Sequence, residues 1–225
     1  MEGFWLPLWL SIKLATLTTL FLFLIAIPLV FLLKMYRFRG KSIIQTFIAL
    51  PLVLPPSVLG YYLLIAFRPD GSTGKIWSFL FNARLAFSFE GLLIASIIFS
   101  FPFMINPIVS SLENLPKSLS EASFNLGKSK WQTFTKILLP NIKPSIISAS
   151  ILSFAHTIGE FGVILMIGGN IPGETRVASI ALYHELEAMN YELANRYAII
   201  LLGFSFLVLL SVQLLRKKPT QEILC

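Results

Sequence analysis

A chain of 225 residues with 56% hydrophobic side chains, 20 phenylalanines and a mean hydropathy of +0.78 has too few polar groups to cover a soluble globule. Several apolar stretches must therefore face hydrocarbon. The net charge of +7 is scattered between apolar runs without a contiguous basic face, which argues against nucleic acid, and the single cysteine, Cys225, excludes a disulfide framework and a thiolate metal site.

Apolar runs of about 20 residues or more, the length a membrane helix needs, are Trp5 to Leu33, Ile43 to Phe67, Gly91 to Val109, Ile142 to Ile167 and Tyr197 to Leu215. They predict an all-α fold: one transmembrane domain over residues 1–225, a polytopic membrane helical bundle of five transmembrane helices. The first run has no cationic segment ahead of it, outlasts a signal-peptide core and lacks a clear small-x-small cleavage site, so a retained helix is expected. Lys13 lies near its outer end, where its stem can snorkel, and is given no transport role.

The second run contains LPLVLPPSVLGYYLL from Leu50. Pro51, Pro55 and Pro56 each remove an amide donor and free a carbonyl one turn back, so this helix is expected to bend, with the freed carbonyls facing protein or a water-filled path. A structural kink and a path lining are both open for Pro55, Pro56 and Ser57. Pro102, Asn106 and Pro107 predict a second broken helix in the third run, and irregular helices meeting near the midplane are what transporters use for substrate passage.

Residues 116–140 separate the third run from the fourth with a charged and apolar mixture that no bilayer would take up. Glu121 to Pro140, EASFNLGKSKWQTFTKILLP, reads as two short helices around Gly127. Ser118 is expected to cap the first, with Glu121 closing a capping box; Gly127 permits the turn; Trp131, Phe134, Ile137 and Leu138 give the second an apolar face. Such a cytoplasmic loop calls for a protein partner. Within it ASFNLGKS fits a relaxed phosphate-loop pattern, yet it follows Pro116 and a helix cap instead of a buried strand and has one glycine, so no ATP site is expected.

The fourth run holds His156 and Glu160, four residues apart and so on one helical face. Counted from Lys143 at about 1.5 Å per residue, Glu160 lies about 25 Å up the helix, near the outer boundary. A packing and hydrogen-bonding pair is the preferred assignment, and a gate or path role the alternative. Two ligands do not close a metal shell. Ser57, Ser96, Ser100, Ser148, Ser153 and Thr157 are candidate path hydroxyls: a dianion needs donors to replace water, whereas a buried cation would hold it too long.

Cations cluster after the first run (Lys34, Arg37, Arg39, Lys41), after the third (Lys117, Lys128, Lys130, Lys136) and in the tail (Arg216, Lys217, Lys218). These segments are therefore expected inside, placing the N-terminus outside and the C-terminus in the cytoplasm. Ile167 to Asn195, with Arg176 alone against Glu174, Glu185, Glu187 and Glu192, is expected outside.

The spacing Glu-Ala-Ser, three residues, Gly, nine residues, Ile-x-Leu-Pro resembles the EAA loop of ABC importer permeases, with Ser123 in place of the usual Ala. Together with LPLVLPPSVLGYYLL, IGEFG from Ile158 and IPGETR from Ile171, it makes the chain similar to permease subunits of molybdate or tungstate ABC importers over nearly its whole length. That resemblance implies a non-catalytic, cofactor-free permease of the inner (cytoplasmic) membrane. It implies a homodimer on a cytoplasmic ABC ATPase dimer, fed by an extracytoplasmic oxyanion-binding protein, with the oxyanion passing along the two-fold axis. The ATPase-coupling residues would be Glu121, Ala122, Gly127, Trp131, Phe134, Ile137, Leu139 and Pro140. Candidates for the path or gate are Pro55, Pro56, Ser57, Ser100, Asn106, Ser153, His156 and Glu160. The alternatives are a sulfate or other oxyanion permease, an ion-coupled secondary transporter, for which Glu160 is the one candidate carboxylate, and a membrane enzyme, which would need a clustered polar constellation.

Overall fold

The computed structural model describes residues 2–36 and 38–215. Arg37, the tail cations Arg216, Lys217 and Lys218, and Cys225 lie outside the described residues. Those described form helices joined by turns and short irregular segments, without strands.

Three helices are each long and apolar enough to cross a membrane: α1 (Glu2–Met35), α5 (Phe89–Glu113) and, last in the chain, α12 (Tyr191–Leu215). Ser88 starts α5, its hydroxyl accepting from the Gly91 amide at 3.1 Å, with Glu90 in the first turn. The last helix begins six residues before the apolar run does. An exposed Arg196–Glu192 ion pair of 2.6 Å joins two residues one helical turn apart in this polar start.

Span two is more than bent. It divides into α2 (Lys41–Val53) and α3 (Pro56–Phe67), which meet at 112°. Leu54 and Pro55 each precede a proline and are pushed out of the helical region, to ψ of 133° and 134°; one such residue would kink a helix, and two in succession end it. Pro51, preceded by Leu50, stays inside α2.

The expectation of a broken third span is corrected. Helix α5 runs uninterrupted through Pro102 and Pro107, because it sits at the centre of the bundle between α1, α2 and the later helices, whose packing holds the helix where local bonding is lost.

The fourth span is corrected too. After α4 (Ser72–Phe81), α6 (Lys117–Asn125), α7 (Lys130–Thr133) and α8 (Leu139–Asn141), helix α9 covers only Lys143–Gly159. Glu160 then extends the chain (φ −62°, ψ 137°) and α10 (Gly162–Gly168) restarts it. Helix α10 packs on α3 and α5. A Cβ on Gly60 would come within 3.0 Å of the Met166 sulfur, and one on Gly162 within 3.0 Å of Pro56, so two small residues let the halves of two broken spans meet closely. The α7–α8 segment and α9 meet at 75°. Helices α4 and α11 (Ala178–Glu187) lie where connections were expected.

One apolar core, with Leu22, Val30, Met104, Ile108 and Leu112, reaches the end of the bundle that carries α6 and α7. Two smaller clusters, around Leu14, Leu92 and Ile164 and around Phe67, Ala95 and Ile167, hold α10 in place.

Candidate functional site

The loop between α5 and α9 folds as a helical hairpin. Helix α6 starts on Pro116, whose ring fixes φ near its observed −54°, and no side chain caps it. The expected capping box of Ser118 and Glu121 is therefore absent: Ser118 already lies within the helix. A capping box exists one helix later, where the Gln132 amide donates to Ser129 Oγ (3.2 Å) and the Ser129 amide to Gln132 Oε1 (3.1 Å). Between the helices Gly127 has φ +73°, with Gly127 N–H donating to Phe124 O (2.9 Å) and Lys128 N–H to Ser123 O (3.1 Å). This pair of bonds is the Schellman ending that a left-handed glycine allows.

Ser123 bonds Thr133 Oγ1 at 2.8 Å and is buried. The hydroxyl that departs from the usual Ala thus clamps the two helices together. Past Thr133 the helix widens into one π-turn, Phe134–Leu138, with Leu139 N–H donating to Phe134 O. Pro140 has no N–H for the Lys136 carbonyl and would crowd it, and the wider turn accommodates that.

The predicted coupling residues divide into three groups. Phe134 is fully buried in the bundle core, and Ile137 and Leu139 pack against that core. Glu121, with Phe124 outside the predicted set, lines a groove facing the ends of α1 and α5. Ala122, Gly127, Trp131 and Pro140 are exposed. Leu126, 77% exposed beside the Gly127 turn, was missed; the signal was its place immediately before the glycine, at the tip of the hairpin.

Within the bundle Glu160 is buried, and its carboxylate gathers two helices. Ser96 Oγ donates to Oε2 at 2.9 Å and Ser100 Oγ to Oε1 at 2.7 Å; His156 Nδ1 lies 3.3 Å from Oε1 and 2.9 Å from Ser100 Oγ. Ser100 also meets Thr157 Oγ1 at 3.0 Å, and Ser179 on α11 donates to the Glu160 carbonyl. Ser100 has one proton to give, to the Glu160 carboxylate or to His156, so the tautomer of the imidazole decides how the group shares its hydrogens. The imidazole stacks on Phe103 at 3.8 Å between centroids and leans on Phe99.

Of the predicted path residues, the fold brings Ser100, His156 and Glu160 together, with Ser96 and Thr157. Ser153 lies one turn below, buried, its carbonyl accepting from Thr157 and its own hydroxyl without a protein partner among the described residues. Pro56 approaches Gly162 next to the cluster. Pro55, Ser57 and Asn106 are exposed and take no part in it. Ser179, in a segment taken for a connection, carried no sequence signal.

The IPGETR segment is a self-locked turn. The amides of Glu174, Thr175 and Arg176 all point at Ile171 O (3.0–3.2 Å), the buried Thr175 hydroxyl donates to Gly168 O (2.7 Å), and Arg176 Nε donates to Asn170 Oδ1 (2.5 Å).

Residues 1–221 match the family of binding-protein-dependent transport system inner membrane components. The Azotobacter vinelandii molybdenum transport system permease protein ModB is 42% identical over 203 residues, 90% of each chain, and the Escherichia coli K12 ModB 36% identical over 92% of this chain and 90% of its own. The E. coli K12 sulfate transport system permease protein CysT is 32% identical, over 83% of this chain and 67% of its own. Among solved structures, a bacterial alginate ABC transporter with its periplasmic protein superposes at a TM-score of 0.76 (20% identity, 94% of this chain, 77% of that one). The inward-facing MetNI methionine ABC transporter superposes at 0.70 (17% identity, 94% and 95%). At those identities the likeness concerns the fold.

Proposed function

We propose, from the premise that the chain belongs to the family of binding-protein-dependent transport system inner membrane components, that it is the membrane-spanning permease of an ABC importer that moves molybdate or the chemically similar tungstate inward. One observation carries the choice of cargo: the Azotobacter vinelandii molybdenum permease aligns over 90% of each chain, whereas the E. coli K12 sulfate permease leaves a third of its own length unmatched. The chain supplies passage and coupling, while ATP hydrolysis resides on a separate subunit. The membrane is the cytoplasmic one.

Five crossings follow if α2–α3 and α9–α10 each count as one broken span beside the three long apolar helices, with α7 and α8 left outside the bilayer as part of the hairpin. The Gly127 hairpin is the element that meets the ATPase dimer. Phe134, buried in the permease, anchors the hairpin to the bundle, so motion of the ATPase is passed to α1 and α5; the contact itself falls to Ala122, Leu126 and Trp131, which are exposed on the hairpin. The Glu160 cluster is a tie between α5, α9 and α11. Its carboxylate already consumes the Ser96 and Ser100 donors, which leaves those hydroxyls unable to solvate a passing oxyanion. A homodimer would place the exposed break at Leu54–Pro56 against a second copy, and the extracytoplasmic binding protein delivers the anion at the opposite end from the hairpin.

Cells lacking molybdate uptake, given this permease with the ATPase and binding protein of its own system, should regain it. Tungstate should compete at equimolar concentration, and a hundredfold excess of sulfate should not. Uptake abolished by equimolar sulfate would move the chain to the sulfate permeases.

A further inference from the structure

At the end of the bundle where α1 and α5 finish, α2 begins and α6 crosses beneath, a pocket of about 370 Å³ opens, within the size range of small-molecule sites. Four lysines line it, Lys34, Lys41, Lys117 and Lys130, against two carboxylates, Glu113 and Glu121. One ion pair under 4.0 Å is formed there among the described residues, Lys41 with Glu113 at 3.9 Å, both partly exposed, a geometry that contributes little. Lys34 Nζ spends one of its three hydrogens on the Leu112 carbonyl (2.6 Å), and Glu113, Lys41 and Lys117 stand within electrostatic reach of it. Lys130 hangs over the ring of Tyr36 at 4.2 Å. The pocket thus gathers ammonium groups with hydrogens left over.

Its position decides what fills it. The walls are the last turns of two membrane-length helices, so the pocket opens at headgroup level, and beside it Leu32, Tyr36 and Ile43 present exposed apolar surface suited to acyl chain and glycerol. On α6 the lining residues Lys117, Ser120, Glu121 and Phe124 fall at helical spacing on one face, turned from the exposed Ser118 and Ala122. The hairpin therefore offers its partner one face and the pocket another.

We infer that this pocket binds the phosphate of an anionic phospholipid, with its lysines as ligands. A basic pocket between helix ends on the cytoplasmic side is suited to such a headgroup, each lysine near the surface adding to the attraction. A bound lipid bridges α1, α2 and α6 and so braces the base of the hairpin. The inference rests on placing this end of the bundle at the cytoplasmic boundary, which the labelling experiment in the Discussion tests by itself.

The test is native mass spectrometry of the full-length permease with its ATPase in mild detergent, titrated separately with phosphatidylglycerol, phosphatidylcholine and inorganic phosphate. Phosphatidylglycerol should bind about tenfold or more tightly than phosphatidylcholine, and inorganic phosphate should displace it only at far higher concentration. Lys41→Gln with Lys117→Gln should erase the preference, and Lys41→Arg with Lys117→Arg should keep it. Equal binding of the two lipids, or a preference intact in the Gln pair, overturns the site. Phosphate binding as tightly as phosphatidylglycerol overturns the lipid assignment in favour of a soluble anion. If the Gln pair aggregates, the wild-type preference and the Arg pair still decide.

Discussion

Glu160 tests the distinction between a tie and a gate. In Glu160→Gln the amide keeps the shape, and its NH₂ can donate to a serine hydroxyl that turns to accept, so the network closes again at small loss. Glu160→Leu takes the acceptor from the buried Ser96 and Ser100 and the partner from the part-buried His156, at about 1–3 kcal/mol for each buried group left unsatisfied. The expected outcome, read by detergent gel filtration and molybdate uptake, is a monodisperse and substantially active Gln variant beside a Leu variant that is mostly aggregated. A Gln variant that assembles normally and transports nothing would make Glu160 a working part of the path.

For the hairpin, the informative change strains the turn without filling space. A Cβ on Gly127 meets nothing within 4 Å, so the cost of a substitution is backbone alone, about 1–2 kcal/mol for a residue that disfavours positive φ. Gly127→Val should therefore insert and purify as the parent does yet retain less ATPase through detergent, while Gly127→Asn, at home in the left-handed region, should keep it. Leu126→Asp, charging the tip without touching the fold, should release the ATPase as well. Normal copurification in both Gly127→Val and Leu126→Asp, with unimpaired uptake, would remove the hairpin from the coupling interface.

For the whole molecule the claim is orientation. After removal of Cys225, cysteines at Arg39 or Lys128 should be protected from an impermeant thiol reagent in intact cells, and cysteines at Gly71 or Gly173 should react, since the cationic segments lie inside. Labelling at Lys128 from outside would invert the bundle and place the hairpin beyond the reach of any cytoplasmic ATPase.

The sequence by itself determined the medium, the all-helical class, the hairpin around Gly127 and the pairing of His156 with Glu160. Each is a property of near neighbours: apolar runs of membrane length, a glycine between two short helices, two polar residues one turn apart. It also showed that Leu54 to Pro56 could not be an ordinary helix. The tertiary structure alone decided what became of each irregularity. The consecutive Pro55 and Pro56 broke span two, while Pro102 and Pro107 left α5 whole because α5 is enclosed by its neighbours. Span four stopped at Glu160 because Ser96 and Ser100 on α5 and Ser179 on α11 hold that residue by both its carboxylate and its carbonyl. Phe134 turned inward and Leu126 outward, although hydropathy ranks them alike. A buried polar group is satisfied by partners from distant segments, here 19 to 64 residues away, and no local pattern along the chain encodes that distance.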